Sequence, residues 1–134
     1  GWDQYHQYVQ KLFQVYSELR TQYTFPALRE QSILPHNVVF LALMKLIPLA
    51  KKQGLPPSFL DKIHELHLNG STNRSNTAWE GRCIWMGSMK KNGMTIDRTA
   101  ALLGYMLNVQ LDDSLAMLLD TGESKDNLNI DMMD

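Results

Sequence analysis

The stretch from Val38 to Ala50 constrains the fold of this chain more than any other. Val38, Val39, Phe40, Leu41, Leu43, Met44, Leu46, Ile47 and Leu49 surround a helix on nearly every side instead of forming one stripe. The run is too short to span a bilayer, which takes about 20 apolar residues, and Lys45 and Pro48 interrupt it. A helix with so little polar surface belongs in the centre of a bundle. Asn37 is placed to cap its start. Pro48 removes a backbone donor and is expected to kink or end it, and Lys51, Lys52 and Gly54 form a C-terminal signature.

The segments around it supply the cover. From Trp2 to Tyr23, the residues Trp2, Tyr5, Tyr8, Val9, Leu12, Phe13, Val15, Tyr16 and Leu19 fall on one side of a helix, with Gln4, Gln7, Gln10, Gln14 and Glu18 opposite. This arc is expected to be core, with an exposed aromatic partner site as the alternative. Pro26 opens a short helix toward Ile33. Ser58 starts another, from Phe59 to Leu68. Residues 69–76 read as a polar loop. Thr77 and Glu80 form a capping box for a helix from Ala78 to Lys91, ended by Asn92-Gly93. Thr95 caps a helix to Leu107, and Asp112 or Asp113 one to about Leu119. The expected fold is therefore all-α: a compact bundle of five to six helices in one domain, residues 1–119, with residues 120–134 as a flexible acidic C-terminal tail.

Charge separates the two parts. The net charge of −1 divides into −4 for residues 120–134 (Asp120, Glu123, Asp126, Asp131 and Asp134 against Lys125) and +3 for residues 1–119. A body this mildly basic falls well short of a dedicated nucleic-acid binder. Hydrophobic residues at 44% argue against wholesale disorder. The single cysteine, Cys83, excludes a disulfide within the chain and fits an intracellular, reducing compartment, cytoplasmic or nuclear.

Catalytic patterns are not evident. His64 and His67 are three apart on one helix, but His67 falls in the stripe of Leu60, Ile63 and Leu66, so packing is a better reading than metal binding. Cys83, placed within a helix, lacks the neighbouring base that a nucleophile needs. The glycines are scattered, without a phosphate-cradling loop. Asn69-Gly70-Ser71 and Asn73-Arg74-Ser75 match the glycosylation pattern, which is short and common in polar loops. Residues 95–119 resemble a helix-turn-helix in spacing only, because Asp112 and Asp113 at the start of its second helix repel phosphate.

The most informative surface chemistry lies in residues 69–98. Arg74, Arg82, Lys90, Lys91 and Arg98 outweigh Glu80 and Asp97, with Trp79 and Trp85 interleaved. Bases neutralise phosphates and aromatic faces stack on nucleobases. The tail alternates acids with Leu128, Ile130, Met132 and Met133, a pattern able to dock on a basic groove. The expected function is a non-enzymatic helical interaction module, an adaptor or assembly subunit with a protein partner or self-association. The alternative is a nucleic-acid-associated accessory protein that uses the basic stretch and is regulated by the tail. No cofactor, metal or membrane contact is expected.

Overall fold

A computed structural model describes residues 1–119. They form an all-α bundle of six helices: α1 His6–Gln22, α2 Phe25–Gln31, α3 Asn37–Lys52, α4 Lys62–Leu68, α5 Gly93–Met106 and α6 Asp113–Leu118. A small antiparallel hairpin, β1 Ile84–Trp85 and β2 Ser88–Met89, lies between α4 and α5. The expected tail, with Leu128, Ile130, Met132 and Met133, lies outside the described residues.

Helix α3 is central, as its composition requires. Val38, Val39, Ala42, Leu43, Leu46, Ile47 and Ala50 are buried, and a strip through Asn37, Leu41, Lys45 and Lys52 reaches solvent. Pro48 does not end the helix, which runs on to Lys52. Gly54 then turns the chain at φ +78, a conformation that favours glycine. Of all the helices, α5 packs most extensively against α3. It permits this because Ala100, Ala101 and Gly104 keep its surface low. A Cβ at Gly104 would stand 2.6 Å from Leu111 Cδ2 and 3.0 Å from Leu46 Cδ2. Lys45 also pairs with Asp97 across the two helices.

Helix α1 buries Tyr8, Leu12, Val15, Tyr16 and Leu19, one stripe at helical spacing. Two of its tyrosines clamp the ends of α3. Tyr16 Oη donates to the Leu34 carbonyl at 2.6 Å, just before the helix, and Tyr8 Oη donates to the Leu55 carbonyl at 2.5 Å, just after it. Burial raises the Tyr16 phenol above its ordinary value, so it remains a donor. The sequence places the whole aromatic arc in the core, but Trp2 and Phe13 are exposed. Trp2 belongs to a short 3-10 turn, Trp2–Tyr5, that precedes α1. A similar turn, Pro57–Asp61, occupies the first part of the helix expected from Phe59, leaving α4 at seven residues.

Residues 69–76 form the expected polar loop, within which Ser71 and Thr72 are buried. Their backbone pairs with the segment between α2 and α3: Ile33 N donates to Thr72 O, and Arg74 N to Gln31 O, both at 2.9 Å. Asn69 Oδ1 accepts from Ser71, and Ser71 O accepts from Trp79 Nε1 and Asn76 Nδ2, so these groups pair within the fold. The helix expected over Ala78–Lys91 does not form. A 3-10 turn at Thr77–Trp79 is followed by Gly81 at φ +79, then by the hairpin. Positive φ at Gly81, Met86 and Gly87 is incompatible with helix, and the Cys83-Ile84-Trp85 run suits a strand. Asn92 does not terminate that helix. It caps α5 in a reciprocal capping box with Thr95.

Leu43 is fully buried, whereas Phe40 is half-buried beside Phe13. Leu43→Ala is expected to cost about 2–5 kcal/mol. Phe40→Ala is expected to cost less, about 1–2 kcal/mol. Urea unfolding of the two variants checks the order; equal losses would contradict this placement of α3.

Candidate functional site

Two surfaces of the described residues carry exposed groups suited to recognition. The first lies between α1 and α3. Phe13, Tyr16, Ser17 and Arg20 recur at helical spacing on α1 and face Phe40 and Asn37 of α3, with Pro35 at one end. The ring centroids of Phe13 and Phe40 are 5.8 Å apart, and those of Tyr16 and Phe40 are 5.7 Å apart. These rings bound a cleft of about 190 Å³. Phe13 stands 58% exposed on its wall. Arg20 lies at the rim, and its guanidinium sits 5.6 Å from the centre of the exposed Phe25 ring; Arg29 approaches the same ring at 5.7 Å. Neither arginine meets a carboxylate among the described residues.

The second surface is the β1–β2 hairpin. Of the five bases singled out in residues 74–98, the fold gathers three at its surface and uses two within its structure. Arg74 Nη2 donates to the Gly87 carbonyl at the turn, 3.3 Å away. Lys90 and Lys91 leave β2 exposed. Arg98 supports the hairpin from α5: its guanidinium covers the Trp85 ring at 5.5 Å, and Nη1 donates to Gly81 O at 3.1 Å.

Arg82 is not a surface base. It is fully buried. Its Nε donates to Ala78 O at 3.0 Å, Nη1 to Leu118 O at 3.3 Å and Nη2 to Leu119 O at 3.0 Å. The last two carbonyls close α6, where the backbone dipoles leave negative charge and four acceptors lack helical partners. A guanidinium fits this end because its planar donors diverge to several oxygens at once. The arginine therefore joins the segment before the hairpin to the end of the last described helix. Sequence alone groups it with the neighbouring bases by charge, and composition does not tell a buried guanidinium from an exposed one.

Met86 is not singled out by the sequence, because its role depends on the hairpin that replaces the expected helix. It occupies the first central position of the hairpin turn at φ +51, followed by Gly87 at φ +81. Trp85 pairs with Ser88, so the loop has two residues, both with positive φ, as in a type I′ turn. Asparagine or glycine is normal at this first position. A bulky L-residue there costs roughly 1–2 kcal/mol. The Met86 side chain is 99% exposed, so packing does not offset that cost. The Met-Gly dipeptide between Ile84-Trp85 and Ser88-Met89 was the available sequence signal.

The remaining candidates have structural environments. Cys83 lies before β1, not within a helix; it is buried, and burial pushes its thiol up to about 12, which opposes a thiolate at neutral pH. His64 Nε2 lies 3.2 Å from Glu18 Oε1, and His67 packs edge-on to Tyr23 at 5.0 Å. Among the described residues no group of three or more His, Cys, Asp and Glu side chains is placed to hold a metal ion. No helix of these residues is long and apolar enough to cross a membrane. Asp112 Oδ1 caps α6 by accepting from Leu115 N, and these backbone and side-chain hydrogen bonds hold its carboxyl below the usual range.

Removing the buried guanidinium takes away its donors to the Ala78, Leu118 and Leu119 carbonyls. Arg82→Met is expected to lower stability by about 3–5 kcal/mol, and Arg82→Lys, with fewer and less divergent donors, to recover less than half. Denaturant melts check both; full rescue by lysine would mean that charge alone matters. The histidines generate a pH effect. Burial lowers both His36 and His67 below the ordinary 6.5, with the His64 charge adding to the effect at His67. Their neutral forms are favoured by folding, so this contribution is complete above about pH 6.5 and is lost as pH falls toward the folded values. The Tm is expected to drop between pH 7 and 5, and His67→Phe to flatten part of that drop. An unchanged slope in the variant would exclude His67 as a source.

No protein-family model, curated protein sequence or solved structure matches the chain.

Proposed function

We propose that the protein is a non-enzymatic helical interaction module, an adaptor or assembly subunit, that captures a protein partner in the α1–α3 cleft. The supporting observation is Phe13, a large aromatic side chain held 58% exposed against Phe40 beside an arginine without a carboxylate partner among the described residues. Aromatic and arginine side chains are the types that dominate binding energy at protein interfaces. Ring pairing fixes Phe13 and Phe40 relative to each other, which limits the ordering cost of binding. The cleft, at about 190 Å³, is smaller than the roughly 300–1,000 Å³ typical of small-molecule pockets. It suits one inserted side chain from a larger partner.

The chemistry defines that partner. An apolar side chain would enter between Phe13 and Phe40, and a neighbouring carboxylate would meet Arg20. Arg29, beside the shared Phe25 ring, extends the positive rim. The partner is thus a protein segment that combines an apolar anchor with acidic residues. Cys83 and His67 occupy packed environments, and His64 faces Glu18, settings that do not favour a catalytic assignment.

Selection of a displayed peptide library against the full chain tests this reading. Enriched peptides should share an apolar residue adjacent to Asp or Glu. Phe13→Ala should weaken a selected peptide by at least about tenfold, or roughly 1.4 kcal/mol. Arg20→Glu should weaken it further and remove its salt dependence. Neither variant should lower Tm appreciably, because both side chains are exposed. Absence of a shared motif, or binding indifferent to Phe13, would rule out the cleft.

A further inference from the structure

We propose that the β1–β2 hairpin is a separate contact element for duplex DNA, with Met86 as an apolar wedge at its tip and Arg74, Lys90 and Lys91 as phosphate contacts behind it. The observation that points there is the combination at Met86 of a left-handed backbone and full exposure. Each is unfavourable for folding, and an asparagine at the same position would relieve both. A residue that strains the backbone without packing against anything is a candidate for a role outside the fold.

The surroundings select the partner. Met86, Gly87 and Ser88 are all exposed, and Met86 is the single large apolar group projecting from the turn. One such side chain is too little for the apolar core of a protein interface, which clusters several anchors. Arg74 is bound to the turn itself through Gly87 O, and Lys90 and Lys91 follow directly after β2. None of the three meets a carboxylate among the described residues. A narrow two-stranded ribbon with cations behind an apolar tip matches how minor-groove proteins engage duplex DNA: bases hold the phosphates while a side chain such as methionine enters between base pairs and kinks the duplex. The ribbon is braced for this. Arg98 stacks on Trp85 and hydrogen-bonds Gly81 O, and Trp85 Nε1 donates to Arg82 O, whose side chain is anchored in the core. Force on the tip is thereby carried into α5 and α6. Lys45, which pairs with Asp97, is excluded from this surface by its partner.

The test uses the full chain and a fluorescent DNA duplex of about 20 base pairs, roughly two helical turns, labelled at both ends so that bending is read by energy transfer. The parent should bind at low salt, with affinity falling steeply as salt rises, and should shorten the end-to-end distance. Lys90→Glu with Lys91→Glu should reduce affinity at least about tenfold and flatten the salt slope by about two units, near one per lost phosphate contact. Met86→Asn separates the wedge from the charges. It should fold at least as stably as the parent, because asparagine suits the turn, and should retain the salt slope while losing the bend and about fivefold to tenfold in affinity. A stabilised variant that still bends DNA like the parent overturns the wedge, and absence of salt-dependent binding by the parent overturns the proposal. Preferential binding to phosphatidylglycerol vesicles over DNA, sensitive to the same substitutions, also overturns it. Phe13→Ala should leave DNA binding unchanged, so failure here is distinguishable from failure of the α1–α3 cleft.

Discussion

The close approach of α3 and α5 is the constraint on which the rest of the structure depends. Both helices bury most of their circumference, so neither can be stable without the other and without further cover. Gly104 removes the side chain that would hold them apart from Leu46 and Leu111. The other elements complete the enclosure. Helix α1 covers another side of α3 and fixes both of its ends through Tyr8 and Tyr16. At the far end, Gln53 Nε2 donates to Gln110 O while Gln110 N donates to Gln53 Oε1, so one side chain mimics a strand pairing and holds the α5–α6 connection against the exit of α3.

That arrangement also explains where the two exposed surfaces arise. Once the core has consumed the inner stripe of α1, Phe13 and Arg20 remain on the shoulder where α1 and α3 diverge. The hairpin, by contrast, is attached to the bundle through its base. Arg82 and Arg98 fasten it from below, one buried under the end of α6 and one stacked on Trp85. The five bases of this region thus differ in setting: Arg82 is buried, Arg74 and Arg98 are half-buried against the hairpin, and Lys90 and Lys91 are exposed.

The all-α class and the central position of α3 were legible because a long apolar run and the amphipathic spacing of α1 are collective signals, strong over many residues. The stripe placing His67 inward was legible for the same reason. Residues 77–91 were not. Within the polar loop 69–76 the burial of Ser71 and Thr72 was also hidden, because a distant segment supplies the backbone partners. The Thr77–Glu80 capping pattern is local and is overridden where Gly81, Met86 and Gly87 take positive φ and turn the chain into the hairpin. A mistaken helix there carries every side-chain direction with it, so neither the burial of Arg82 nor the exposure of Met86 can be read from it. The cleft was half legible: the sequence raised an aromatic partner site on α1, and only the crossing with α3 shows which of its rings the core leaves over.

The pairing of residues 31–33 with 72–74 has a consequence for how the chain assembles. Ser32 bridges Asn73, and the Ile33 and Arg74 amides each bond across to the other segment. These contacts join parts of the chain about 40 residues apart with α3, the Pro57–Asp61 turn and α4 enclosed between them. Closing so long a loop costs entropy that two or three hydrogen bonds cannot recover alone. The clasp can therefore persist only when the enclosed helices have already packed, which makes it a late event in folding. Hydrogen exchange at the amides of Ile33 and Arg74 thus provides a clock for completion of the bundle, independent of the helices whose packing it records.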